Sequence, residues 1–176
     1  MTVTYDSLFI SIQDTITKAK INDKDTFFTW MPLTHDMGLI GFHLIPLIAG
    51  AKQYILNTRM FLENPSIWIN SMSEYKVTIS AAPNYAFKYI IGFSSNISEN
   101  CDLSSMRCIF NGGEPIDSEI CYTFLERMKA YNLKNNVIVP TYGLAEACLV
   151  ISFNTLYSEL DVEHVKKRIF KIVILI

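Results

Sequence analysis

A chain of 176 residues is long enough for one domain with a sizeable core. Half of the residues are apolar and 18% are charged, which marks a globular chain whose surface is poor in charge for a free-standing domain and is suited in part to face more protein. The net charge of −2 gives no electrostatic case for nucleic acid.

In chain order, Leu8, Ile12 and Ile16 recur every four residues and predict a helix over 5–19. Thr26 to Met31 reads as a short strand that ends at Pro32. Met37 to Ile48 is apolar nearly all round, predicting a buried helix that Pro46 kinks or ends, with Gly50 as its stop. Gln53 to Leu56 is a strand candidate. Asn64 and Pro65 open a helix as N-cap and first-turn proline, with Ile67, Trp68, Met72 and Tyr75 on its inner face. Val77 to Ala82 predicts a strand stopped by Pro83, Tyr85 to Ile91 a helix ending near Gly92, and Met106 to Phe110 another strand.

The clearest helix spans about Ser118 to Tyr131, where Ile120, Cys121, Phe124, Leu125 and Met128 form one stripe. Asp117 and Glu119 stand at its positive end and Arg127 and Lys129 toward its negative end, as the helix dipole favours. Val137 to Val139 is the next strand, and Ala147 to Phe153 a further strand or buried segment. Alternating strands and helices on short connections predict an α/β layered fold, a mostly parallel sheet flanked by helices.

In such folds ligands bind beyond the carboxyl ends of the strands. Asn111-Gly112-Gly113 and Thr141-Tyr142-Gly143 each follow a predicted strand directly. Gly112 and Gly113 permit unusual torsions and a close approach of ligand to backbone, or simply a tight strand-to-helix turn. Tyr142 offers a face for stacking and Gly143 leaves room for a ring or phosphate, although a tyrosine there also suits a core or rim. Glu146 is a hard oxygen ligand suited to a magnesium ion shared with phosphates, or an ordinary carboxylate in a first helical turn.

His35 and Asp36 begin the buried segment; neighbours on a helix point about 100° apart, so a pocket-lining His with Asp as helix cap is expected rather than a catalytic dyad. Asn84 at a strand end suits either turn chemistry or a pocket wall, and Glu114 before Pro115 suits a solvated turn. His43 and His164 carry no signal. Cys101, Cys108, Cys121 and Cys148 have no metal-binding spacing and read as buried reduced thiols of a cytoplasmic protein. The N-terminus shows no signal-peptide pattern, and the longest uncharged run, Met37 to Ala51, falls short of the ~20 residues of a membrane span.

Four ordered stretches, Trp30 to Gly41, Ser80 to Ala86, Asn111 to Ile116 and Tyr142 to Ala147, resemble the adenylate-forming superfamily, and within it the fatty-acyl-AMP ligase branch. Ala145 narrows the branch, because the wider superfamily usually has Thr before the glutamate. The resemblance implies that Gly112, Gly113, Glu114 and Pro115 lie against adenine, that Tyr142, between Thr141 and Gly143, stacks on it, and that Glu146 holds magnesium on the ATP phosphates. It implies that His35, Met37 and Asn84 line the meeting place of acyl carboxylate and nucleotide. The implied reaction joins a fatty acid and ATP to give acyl-AMP and pyrophosphate, with an acyl carrier protein or a complementary polypeptide as further partner.

The resemblance covers about residues 1–153, read as a partial AMP-binding domain, with a divergent tail over 154–176. The family's phosphate loop would precede Thr2, and its ribose-binding Asp, hinge and small C-terminal domain with a catalytic Lys find no counterpart after Phe153. The expectation is a ligase fragment weak or inactive alone; the alternative is a non-catalytic nucleotide-binding or assembly half-domain completed by a partner. The basic and then apolar ending, Lys166 to Ile176, reads either as a last edge or core strand or as truncated or out-of-frame coding.

Overall fold

The alternation of the first strand sets the layering. In the computed structural model, which describes residues 2–163, β1 (Thr26–Thr29) sends Phe27 to one face and Phe28 to the other. Phe27 meets Phe42 edge-on at 5.5 Å, whereas Phe28 stacks with Tyr75 at 6.5 Å. Around β1 lie β2 (Lys52–Ile55), β3 (Ile79–Ala82), β4 (Cys108–Asn111), β5 (Ile138–Tyr142) and β6 (Ser152–Phe153). Their order is β2-β1-β3-β4-β5-β6; all neighbours run parallel except β6, which is antiparallel to β5. The predicted α/β class and mostly parallel sheet are what the chain adopts.

One face carries α4 (Ser66–Glu74), α5 (Asn84–Gly92) and α6 (Ser118–Met128). Their aromatic side chains interlock: Phe87 stacks with Phe124 at 4.5 Å and both stack with Trp68. The Trp68 indole donates to Ser80 Oγ, whose hydroxyl donates to the Phe28 carbonyl, whereas the buried indole nitrogen of Trp30, edge-on to Trp68, has no partner among the described residues. The opposite face carries α1 (Tyr5–Lys18) and a π-helical stretch, Met37–Leu44, that runs into α2 (Ile45–Ala49).

Several elements depart from the sequence expectation. The segment from Met37 is not a regular α-helix; the Ile45 N–H reaches back to the Ile40 carbonyl, five residues earlier. Gly38 packs there so tightly that a Cβ would stand 2.2 Å from the Pro32 carbonyl oxygen. Pro46 starts α2 rather than ending a helix, because a first-turn residue needs no N–H, and Gly50 (φ +69°) closes it. A six-residue helix, α3 (Thr58–Glu63), carries too short a period to read; Asn57 caps it and it buries Phe61, 3.8 Å from Trp30. In α4 the buried face is Ser66, Trp68, Ile69 and Met72, while Tyr75 stays on the surface and stacks on Tyr54.

β5 runs through Pro140 instead of stopping at it. The Pro140 carbonyl accepts from Asn154, so its nitrogen also faces away from β4, where no ladder donor is needed. Of Ala147 to Phe153 only Ser152–Phe153 is strand, after a 3₁₀ turn over Ala145–Ala147. All four cysteines are buried and unbonded. The Lys166 to Ile176 tail lies outside the described residues. Among those described, no helix is long and apolar enough to cross a membrane.

Candidate functional site

The carboxyl ends of β1, β3, β4 and β5 open on one edge, and the register decides which side chains face which side of it. Phe27 pairs with Ile79, Ala81 with Phe110, and Phe110 with Val139. Ala81, Phe110 and Thr141 therefore share the face under the π-helical stretch, while Asn111, Pro140 and Tyr142 belong to the face of α6.

Two hollows follow, one on each side of Thr141. The first, about 190 Å³, is lined by His35, Asp36, Met37, Gly112, Gly113, Thr141 and Gly143 together with the turn that folds over them. The second, about 560 Å³ and open, is lined by Glu114, Pro115, Thr141, Tyr142 and Asn154 among others. Thr141 lines both. Tyr142 is 62% exposed, its ring available to a ligand rather than held in the core. Among the described residues, no lysine or arginine lines either hollow.

Backbone proximity explains the glycines. A Cβ on Gly112 would lie 2.4 Å from the Thr141 carbonyl oxygen, and one on Gly143 only 1.7 Å from that of Leu149. Gly113 adopts φ +84°, a left-handed conformation that glycine takes without penalty.

His35 lines the first hollow, and its side chain meets that of Asp36, which the spacing did not predict. His35 lies in the turn before the helical segment, not on it, and its Nδ1 stands 2.7 Å from Asp36 Oδ1. His35 Nδ1 also accepts the Met37 N–H at 3.1 Å, so the pair closes over the first amide of the helical segment. Asp36 also accepts the Met37 N–H at 2.8 Å and so caps the segment as expected.

Other candidate residues stand elsewhere. Asn84 is 4% exposed, lines neither hollow, and its Oδ1 accepts from the Cys121 thiol at 3.4 Å. Burial, and then the charge of Asp117, pushes that thiol up to about 11, so it stays protonated as a donor. Glu146 is exposed in the 3₁₀ turn, outside both hollows.

Two residues of the 111–114 segment also make contacts that the sequence did not mark. Glu114 Oε1 accepts the Tyr85 N–H at 2.5 Å and caps α5, whose own N-cap, Pro83, has no acceptor side chain. Burial, and then this carboxylate, pushes the Tyr85 phenol up. The buried Asn111 amide donates to the Ala82 carbonyl at 2.9 Å and ties the ends of β3 and β4 together.

A parallel α/β sheet with glycine-rich loops gathered around hollows at its carboxyl edge defines a ligand-binding protein of the nucleotide-binding type. The family model of the AMP-binding enzymes matches residues 2–173, and the chain belongs to that family. It is 34% identical over 125 residues to the medium-chain-fatty-acid–[acyl-carrier-protein] ligase JamA of Moorena producens, covering 70% of this chain and 21% of that protein. It is similar to the fatty acyl-adenylate ligase of L. pneumophila solved with acyl adenylate and pyrophosphate (TM-score 0.85, 34% identity, 90% of this chain, 28% of that one). It is also similar to the adenylation domain of a keto acid-selecting NRPS module bound to keto acyl adenylate (TM-score 0.80, 32% identity, 84% and 28%). The chain thus spans between about a fifth and a third of the length of these relatives.

Proposed function

We propose that this chain forms the part of an AMP-forming fatty-acid ligase where adenine, the α-phosphate and the acyl carboxylate meet. The observation that carries this reading is the convergence of His35, Met37, Gly112, Gly113, Thr141 and Gly143, from three separate strand ends, on one hollow beside an apolar cavity. Adenine takes the second hollow, against Glu114 and Pro115 and stacked on Tyr142. The carboxylate and α-phosphate take the first, with the acyl chain leaving past Met37; Asn84 is hydrogen-bonded to Cys121 outside this hollow. A carboxylate oxygen bonds to the α-phosphorus and the bond to the β-phosphate oxygen breaks, giving acyl-AMP and pyrophosphate. The residues contribute by holding the two reactants in line and dry.

Glu146 fits a magnesium ion held mainly by phosphates. It is a single exposed carboxylate, and among the described residues no group of three or more His, Cys, Asp or Glu stands together. Magnesium commonly uses one or two carboxylates and completes its shell with waters and substrate. Bound there, it would neutralise phosphate charge. Among the described residues no lysine or arginine lines the hollows to do so, which supports weak turnover by the isolated polypeptide. We place the protein in the cytoplasm, with ATP, a fatty acid and an acyl carrier protein or complementary polypeptide as partners.

A second reading, a non-catalytic nucleotide-binding or assembly half-domain, is favoured by the exposed apolar residues Tyr5, Phe9 and Ile10 on α1. Calorimetry separates the two. The ligase reading expects heat from ATP with magnesium and tighter binding of a non-hydrolysable acyl-adenylate analogue, with slow ATP–pyrophosphate exchange over a fatty-acid panel. An absence of heat from both ligands leaves the assembly reading alone standing.

A further inference from the structure

Beneath the π-helical stretch, the sheet carries a small apolar cavity of about 40 Å³, lined by Phe27, Gly41, Phe42, Ala81 and Phe110 among others. A water needs about 10–15 Å³ of such space, so the cavity holds a few small groups and no long alkyl chain. A wall must move before a chain can enter. Met37, Thr141, Leu149 and Val150 line both this cavity and the first hollow, and so form the partition between them.

Two members of the partition are held by regular structure. Thr141 lies in β5 between β4 and β6, and Met37 begins the π-helical stretch with its N–H on Asp36. Leu149 differs. Its φ is +101° and that of Cys148 is +57°, two successive non-glycine residues in left-handed backbone. Such a conformation persists only where its neighbours over-determine it.

Those neighbours are few. The Leu149 N–H reaches the Leu144 carbonyl at 3.3 Å, and Gly143 and Gly41 leave the gaps into which its carbonyl oxygen and Cδ2 fit. Among the described residues, the single side-chain hydrogen bond to this turn comes from α1, where Ser11 Oγ donates to the Cys148 carbonyl at 3.2 Å.

We propose that Cys148–Leu149 is a strained strap, pinned by Ser11, whose leucine narrows the apolar cavity and swings away to admit an alkyl chain from the first hollow. The admission step rests on the acyl-ligase reading; the pinned strap does not. Ser11 is a positioning residue in this device and touches no reacting atom.

Cys148 reports the strap directly, because it is buried like Cys101, Cys108 and Cys121, which lie in the core and serve as internal controls for unfolding. In the folded 176-residue chain, Ser11→Ala is expected to raise iodoacetamide labelling of Cys148 at least about tenfold while the other three thiols stay protected, and Ser11→Thr to restore the slow rate. Dodecanoate, its binding followed by calorimetry, is expected to speed Cys148 labelling in the unaltered chain and to bind Ser11→Ala several-fold more tightly, since closure no longer opposes it. Cys148 labelling no faster than the core thiols in Ser11→Ala overturns the strap. Bound dodecanoate that leaves Cys148 labelling unchanged overturns its role as the way in. Dodecanoate binding to neither protein overturns the acyl reading and the admission step together, while the Ser11 contrast is decided separately.

Discussion

One methyl group measures how closely the loops at the carboxyl edge approach one another. At Gly112 and Gly143 the obstacles a Cβ would meet are the carbonyl oxygens of Thr141 and Leu149, which no side-chain rotation can clear. Gly92, at the end of α5, would meet nothing within 4 Å. Gly112→Ala and Gly143→Ala are therefore expected to lose about 2–3 kcal/mol in urea unfolding and to lose ATP binding, whereas Gly92→Ala stays level or gains up to about 0.5 kcal/mol. Equal stability of Gly112→Ala and Gly92→Ala would show that this approach is not a constraint. The importance of Gly112 and Gly143 was legible because each follows a strand and each is a residue without a side chain. Glu114 was named with them, but its capping role was not legible: its partner is the Tyr85 amide, 29 residues earlier in sequence, and no local pattern marks a helix capped from another loop. His35 and Asp36 stand as read, one lining the hollow and one capping the segment, but their mutual contact was not legible, since the rule for neighbours on a helix does not reach the turn before it.

At the amino ends of the strands, opposite the hollows, an ion pair binds three elements. Arg107, just before β4, donates to both oxygens of the buried Asp25 at 2.7 Å and to the Ala19 carbonyl behind α1 at 3.1 Å. Thr78 Oγ1 and the Asn22 N–H complete the acceptors' needs, so the charge is buried but fully partnered. Burial alone would push the Asp25 carboxyl up, yet these hydrogen bonds and the guanidinium charge outweigh it and hold the group below its ordinary value. A lowered folded-state pKa contributes stability that is present above the unfolded value of about 3.9 and is lost as the pH falls through it toward the folded one. Asp102, brought to about 2 by hydrogen bonds from Asn132 and Ser104, loses support over the same acid range. Urea midpoints should hold steady from pH 7 to about 5 and then fall. Arg107→Ala should cost about 3 kcal/mol at pH 7, by stranding a buried carboxylate, and should flatten the acid limb. An acid limb as steep as before would assign the loss to other carboxylates. Partners 82 residues apart leave no trace in local sequence, so this clamp emerges only from the fold.

Across the whole chain, what periodicity can express was legible: the alternation of strands and helices, the parallel sheet, and the stripe of α6. Features that depend on how segments meet were not, among them the widened turns after Met37, the short α3 that buries Phe61, and the passage of β5 through Pro140. The low share of charge was the one global sign of a surface built to meet other protein, and the structure gives it a location. On α1, Tyr5, Phe9 and Ile10 are 92%, 55% and 65% exposed, and the helix buries only Ile12 and Thr15 fully. On α5, Tyr85 and Tyr89 are exposed one helical turn apart, and Phe93 follows directly behind the helix. Clustered apolar residues of this kind drive association when nothing covers them. The isolated chain should therefore self-associate as its concentration rises, seen as a shift to faster species in sedimentation velocity. Phe9→Lys combined with Ile10→Lys removes that driving force at positions that contribute little to the core, so the variant should remain monomeric with an unfolding free energy within about 0.5 kcal/mol of the parent. If it associates as strongly as the parent, the outer face of α1 is not the contact, and the stripe that begins at Tyr85 becomes the next surface to alter.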